Sequence, residues 1–89
     1  MKYFFLINPV AGRSDVSGEI IPLIRAEARN CGIPESDLHI EQTRYAGHAQ
    51  KMAHDAAQSG FEVRIYTVGG DGTFNEALCG AMEFPNASV

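Results

Sequence analysis

The fold is decided by residues 63–76, which read VRIYTVGGDGTFNE. Val63, Ile65 and Val68 are β-branched residues typical of a buried strand. The strand leads directly into a glycine-rich bend at residues 69–73, and Asn75 to Met82 are predicted to form a helix. A strand, a bend and a helix in direct succession indicate one unit of a parallel α/β sheet.

Two further strand-to-helix units precede this stretch. Tyr3–Ile7 is a continuous apolar run, as expected of a strand covered on both faces, and Asn8-Pro9 ends it. Leu38 and Ile40 alternate with polar residues, which suits a partly exposed edge strand. The order strand-helix, repeated three times, predicts a three-layer α/β fold with a parallel sheet.

The two connecting helices carry small and apolar residues at helical spacing. The first is predicted to begin near Asp15 or Ser17, to tolerate Pro22 early, and to stop at Gly32. Its sheet-facing residues are expected to be Ile20, Ile24, Ala28 and Cys31. The second runs from Gly47 to Gln58, and its packed face is expected to contain Ala49, Met52, Ala53 and Ala56.

The predicted strand order is 2-1-3, because neighbouring first and third strands bring their following loops together. Three strands make a thin sheet, and the tail Ala87-Ser88-Val89 resembles the approach to a fourth. Residues 1–89 are therefore expected to be one partial, truncated domain.

Charge and composition argue against several classes of protein. A formal net charge of -4, with seven scattered Lys and Arg residues, argues against a nucleic-acid-binding module. The longest apolar run is too short to span a bilayer. Cys31 and Cys79 lack metal-ligand spacing and are predicted to be reduced, packed thiols of a cytoplasmic protein. His39 and His54 are predicted to lie on solvated faces, and no metal site is expected.

Ligands of open α/β sheets bind beyond the carboxyl ends of the strands, so the three loops there are the candidate site. The loop after the third strand contains Gly69, Gly70 and Gly72, and its backbone together with the following helix start can cradle phosphate. Asp71 would repel phosphate, which leaves contact with Mg²⁺ or an amide cap as its role, and Thr73 could donate a hydroxyl hydrogen bond. A tight turn with a simple helix cap is the structural alternative.

The other two loops read NPVAGR and TRYAGHA. Asn8 could orient a ribose or a base edge, and Gly12 with Arg13 could approach and pair with phosphate. Taken alone, this loop is better explained as an Asn-Pro turn with a solvated arginine. Thr43 ends the second strand. His48 stands at the following helix start, where a lone histidine is more often a surface or capping residue than a catalyst. Together the three loops predict a single cleft around one nucleotide.

The motifs NPVAG, Thr43 followed by GHA at 47–49, and VGGDGTFNEAL at 68–78 resemble the diacylglycerol kinase catalytic family, which includes sphingosine, ceramide and bacterial lipid kinases. The resemblance implies the fold of the NAD kinase and diacylglycerol kinase N-terminal domain. It implies ATP-dependent, Mg²⁺-dependent phosphorylation of a lipid hydroxyl such as that of diacylglycerol. It also implies a second, β-rich domain that binds the lipid and supplies the general base, so residues 1–89 alone are not expected to transfer phosphate.

Carried over by position, the resemblance implies an ATP site formed by Asn8, Thr43, Gly69, Gly70, Asp71, Gly72, Thr73 and Asn75. Asp71 would position Mg-ATP. Cys79 departs from the family pattern, which often has asparagine before Gly80. The expected location is cytoplasmic with room for peripheral membrane contact, and the sheet edge leaves room for a homo-oligomer.

Two other functions remain open at this point. A kinase of the NAD or sugar-phosphate type shares a related Gly-Gly-Asp-Gly loop. A flavodoxin-like nucleotide-binding module without catalysis would also place loops at the carboxyl ends of the strands.

Overall fold

A computed structural model describes residues 1–9, 17–69 and 71–89. The strands are β1 (Lys2–Ile7), β2 (Leu38–Gln42), β3 (Val63–Val68) and β4 (Ala87–Ser88). The helices are α1 (Ser17–Asn30), α2 (His48–Gln58) and α3 (Asp71–Ala81), and a short 3-10 helix, Glu35–Asp37, precedes β2. Within this described part, no helix is both long enough and apolar enough to cross a bilayer.

The four strands form one parallel sheet in the order β2-β1-β3-β4. This confirms the α/β fold, the 2-1-3 order and the edge position of β2. It also confirms a fourth strand in the tail, where Ala87 pairs with Val63 and Ser88 with Arg64.

Asn86 fixes the place of β4. Its side-chain amide donates hydrogen bonds to the carbonyl oxygens of Ala57 at 2.9 Å and Phe61 at 2.8 Å. The Val63 N–H donates to the Asn86 carbonyl oxygen at 2.9 Å. One asparagine therefore ties the end of α2, the entry to β3 and the start of β4 together.

Alternation along the strands gives the sheet two different faces. Phe4, Leu6, Val63 and Ile65 lie on the face that packs against α2 and α3. Tyr3, Phe5 and Tyr66 lie on the opposite face and share an apolar groove with α1. The result is the predicted three-layer arrangement, with helices on both faces of the sheet.

The core between the sheet and its two-helix layer is built from small residues on the helices. Ala49, Ala53 and Ala57 of α2 and Ala77 and Ala81 of α3 are almost completely buried. Alanine leaves little side chain between the helix axes, so α2 and α3 pack closely. At their contact, an added Cβ on Gly80 would collide with the Gln50 carbonyl group and lie 3.1 Å from the Ala53 Cβ.

Helix α1 ends as predicted. Gly32 has φ of 78°. Its N–H donates to the Arg29 carbonyl oxygen at 3.1 Å, and the Ile33 N–H donates to the Ala28 carbonyl oxygen at 2.9 Å. This pair of hydrogen bonds is the Schellman arrangement that terminates many helices at glycine.

The prediction of packed thiols was wrong, because Cys31 and Cys79 are both free and exposed. Cys31 follows the last residue of α1, so it lies in the terminating turn, where it is exposed although it lines the same groove as Ala28. Cys79 lies next to Gly80 on the surface groove between α2 and α3.

Two smaller predictions also need correction. Helix α3 begins at Asp71 and not at Asn75, because Gly72 and Thr73 continue the helix where the sequence suggested a loop. His39 is half-buried and not solvated: its ring stacks on Phe4 with centroids 4.5 Å apart, and its Nε2 is buried. The neighbouring prediction for His54 is confirmed, since half of its side chain is exposed.

Candidate functional site

The carboxyl ends of β2, β1 and β3 are joined by main-chain hydrogen bonds. The Asn8 N–H donates to the Val68 carbonyl oxygen, and the Thr43 N–H donates to the Ile7 carbonyl oxygen, both at 2.8 Å. The residues that follow the three strands therefore start from fixed and adjacent positions. This is the edge at which the sequence predicted a common cleft.

Gly69, in the bend after β3, packs closely against Asn8 and Thr73. A Cβ at this position would lie 2.7 Å from the Thr73 Oγ1, 3.2 Å from the Thr73 Cβ and 3.1 Å from the Asn8 Cβ. The φ of Gly69 is 157°, a value that residues with a side chain rarely adopt. The glycine is therefore required for the main chain to pass between the end of β1 and the start of α3.

Thr73 is the buried polar side chain at the centre of this contact, with 6% of its surface exposed. The Asn8 Nδ2 donates a long hydrogen bond of 3.5 Å to the Thr73 Oγ1. Because the oxygen accepts this bond, the hydroxyl proton of Thr73 is left for a second acceptor. The pair thus holds the Thr73 hydroxyl between the end of β1 and the start of α3.

The first turn of α3 supplies donors and a positive potential. The first four N–H groups of an α-helix have no partner within the helix, and the helix dipole adds a partial positive charge there. In the described part of α3 these are the N–H groups of residues 71–73. Gly72 is exposed and has no atom within 4 Å of the position of an added Cβ, so the main chain is accessible at this turn.

An open cleft of about 550 Å³ lies beside these groups. Its lining includes four of the predicted site residues, namely Asn8, Thr43, Gly72 and Thr73. Three more of the predictions, Gly12, Arg13 and Gly70, lie outside the described residues. Of Asp71, the structure describes the main chain at the start of α3. Asn75 is exposed one turn further along the helix and is not part of the lining.

Five further residues line the cleft and were not predicted, namely Pro9, Arg44, Tyr45, Ala46 and Glu76. Each stands inside or beside a motif that the sequence had already singled out. Arg44, Tyr45 and Ala46 lie between Thr43 and the GHA segment, and Glu76 ends GGDGTFNE. These five residues could have been predicted from their positions in or beside the three loops. They were missed because only the motif residues themselves were considered.

His48 closes the loop that carries three of these residues. Its Nδ1 accepts a hydrogen bond from the Arg44 N–H at 2.9 Å, and its own N–H donates to the Tyr45 carbonyl oxygen at 3.1 Å. Its ring is stacked on the Tyr45 ring. Between the two open interpretations of His48, these contacts favour a residue that shapes the loop over a catalyst.

The charges of the cleft suit a metal-bound phosphate. Arg44 contributes a cation, and Glu76 contributes a carboxylate to the lining. Among the described residues, no group of three potential metal ligands is found. Mg²⁺ that arrives with substrate phosphates needs only one or two protein carboxylates, so Glu76, with Asp71 close by in sequence, fits this type of binding.

Comparison with known proteins gives a consistent result. Residues 2–88 match the diacylglycerol kinase catalytic domain family. A crystal structure from Bacillus anthracis strain Sterne, of a protein assigned to the diacylglycerol kinases, superposes with a TM-score of 0.70 at 31% identity over 94% of this chain. A second structure, of a diacylglycerol kinase from the same strain, gives a TM-score of 0.62 at 32% identity over 89% of this chain.

The chain spans 27% of the length of each of these two solved proteins. A comparison with curated proteins finds no match.

Proposed function

Because this chain belongs to the diacylglycerol kinase catalytic domain family, a family of lipid kinases, we propose that it forms the ATP-binding part of a kinase that phosphorylates a lipid hydroxyl. The observation that carries this proposal is the cleft at the carboxyl edge of the sheet. There Asn8, Thr43, Gly72 and Thr73 line one space beside the first turn of α3.

In this proposal the phosphates bind at the bend and the first turn of α3. The helix N–H groups and the Thr73 hydroxyl donate to phosphate oxygens, and Arg44 neutralises part of their charge. Mg²⁺, held by Glu76 and Asp71 together with the phosphates, would offset the remaining charge. Phosphoryl transfer depends mostly on positioning and charge stabilisation, which is what such a cleft can supply.

The lipid substrate and the group that deprotonates its hydroxyl are proposed for the full-length protein and not for residues 1–89 alone. Diacylglycerol is the proposed substrate, because the solved relatives are diacylglycerol kinases that share 31% and 32% identity with this chain. We also propose that the protein is cytoplasmic and meets this lipid at the membrane surface.

The first test concerns ATP binding. Thr73→Val in the full-length protein keeps the shape of the side chain but removes the hydroxyl, and we expect MgATP affinity to fall about tenfold, the range for a hydrogen bond to a charged group. Calorimetric titration measures the change. Thr67→Val makes the same substitution on β3, outside the cleft lining, and is expected to leave the affinity unchanged. Equal affinities of wild type and Thr73→Val would contradict phosphate binding at this turn.

The second test concerns the acceptor. The full-length protein is incubated with γ-labelled MgATP and, separately, with diacylglycerol, sphingosine, ceramide and NAD. We expect label on diacylglycerol and none on NAD. Label on NAD alone would move the protein to the NAD kinases, and MgATP binding without any transfer would indicate a binding module without catalysis.

A further inference from the structure

A stacked pair of aromatic rings lies beside the cleft. The Tyr45 and His48 rings are stacked, with centroids 4.3 Å apart and an interplanar angle of 12°. Tyr45 is 59% exposed, whereas His48 is half-buried. The histidine is therefore the more buried ring of the pair, and the tyrosine is the more exposed one. Tyr45 is also one of the residues that line the cleft.

The stack is held in place before any ligand binds. The Arg44 N–H donates to the His48 Nδ1 at 2.9 Å, which fixes the plane of the imidazole and requires its ring proton to be on Nε2 in the neutral form. The His48 N–H donates to the Tyr45 carbonyl oxygen at 3.1 Å and closes the same loop. An aromatic surface that is already ordered loses less conformational entropy when a ligand covers it.

We propose that Tyr45, supported from below by His48, is the stacking platform for the base of the bound nucleotide. This inference rests on the proposed function, which places the phosphates at Gly72 and Thr73 in the same cleft. The base is the flat, aromatic part of a nucleotide, and an exposed tyrosine face is a surface on which such rings stack. Arg44 and Glu76 line the cleft too, and these charged neighbours make the position unsuitable for an acyl chain.

Stacking accepts any base, because every base has a π-face. Discrimination by Tyr45 therefore follows the size of the ring system: purine triphosphates bind more tightly than pyrimidine triphosphates, and ATP and GTP differ little through this contact. Tyr45 is a specificity-determining residue in this proposal, and His48 is a positioning residue that acts through it.

The test compares three ligands on the full-length protein by calorimetric titration: MgATP, MgCTP and magnesium tripolyphosphate, which has no base. Tyr45→Leu keeps apolar bulk but removes the ring, and we expect MgATP affinity to fall about 5- to 100-fold. Tripolyphosphate affinity is expected to stay the same, and the preference for ATP over CTP to shrink. Tyr45→Phe keeps the ring and is expected to bind all three ligands as the wild type does.

Tyr66→Leu is the matched control. Tyr66 is also exposed, at 39%, and its ring is also stacked, on Phe5 at 4.7 Å and 16°, but it lies outside the cleft lining. Its replacement is expected to leave all three affinities unchanged.

The outcomes separate the two proposals. If Tyr45→Leu binds MgATP as tightly as the wild type, or loses tripolyphosphate affinity to the same degree, the platform is overturned while ATP binding by the protein stands. If the wild type binds neither MgATP nor tripolyphosphate, the proposed function fails and the platform fails with it.

Discussion

Gly80→Ala is expected to destabilise the domain by about 3 kcal/mol, at the upper end of the usual cost of overpacking. The added Cβ would collide with the Gln50 carbonyl group and lie 3.1 Å from the Ala53 Cβ. A main-chain carbonyl in the first turn of α2 cannot rotate away as a flexible side chain can. Helices α2 and α3 must therefore move apart, and their buried alanine contacts are lost.

The measurement is the thermal unfolding midpoint of the full-length protein, which a change of this size lowers by roughly 6–24 °C, depending on the size of the domain that unfolds as one unit. Gly18→Ala is the matched control, because Gly18 also lies in a helix but has no atom within 4 Å of its added Cβ. Alanine is the better helix former, so this control is expected to be neutral or slightly stabilising. Equal midpoints for Gly80→Ala and the wild type would mean that the two helices are not in such close contact.

Gly69→Ala is expected to lower MgATP affinity at least tenfold. Its Cβ would be 2.7 Å from the Thr73 Oγ1 and 3.1 Å from the Asn8 Cβ, and both of these residues line the cleft. The side chain can be accommodated only if the bend moves away from β1 and α3, which displaces the donors proposed for phosphate. A misfit of about 1.4 kcal/mol in the bound state already accounts for a tenfold loss.

Gly60→Ala separates this effect from the general cost of replacing a glycine. Gly60 has φ of 87°, which is also unfavourable for alanine, but no atom lies within 4 Å of its added Cβ, and it precedes β3 instead of following it. Both variants are expected to lose some stability, and Gly69→Ala alone is expected to lose MgATP affinity. If the two variants bind MgATP equally well, the close packing of the bend is not needed for the nucleotide.

The strands of the sheet could be predicted from the sequence because the apolar pattern of a strand followed by a loop and a helix is local and occurs three times. Tyr3–Ile7 and residues 63–68 are continuous or β-branched apolar segments, and each leads into a loop that a helix follows. The strand order then followed from one assumption, namely that the loops after β1 and β3 lie side by side. The location of the cleft followed from the rule that ligands bind beyond the carboxyl ends of parallel strands.

The start of α3 was misjudged because glycine usually ends a helix. Gly72 lies in the first turn, where no neighbour obstructs it, so the helix continues through it to Asp71. Periodicity alone also could not show that α1 ends one residue before Cys31, which leaves that thiol in the turn.

The aromatic part of the cleft could not be predicted from residue spacing. Tyr45 and His48 are three residues apart, and Tyr45 precedes α2. Their stacking depends on a loop closed by the Arg44 N–H and the His48 Nδ1. A hydrogen bond between a main-chain donor and a ring nitrogen leaves no regular pattern in the sequence, so this part of the site required coordinates.

Because of the strand order, one strand stays incompletely paired while the chain is being synthesised. β1 is synthesised before the other three described strands but lies in the interior of the sheet, between β2 and β3. Its last neighbour, β3, is completed about 60 residues later, which takes several seconds at translation rates of about 5–20 residues per second. During that interval the edge of Tyr3–Ile7 that β3 later covers is unpaired, and an unpaired apolar strand edge is prone to aggregation.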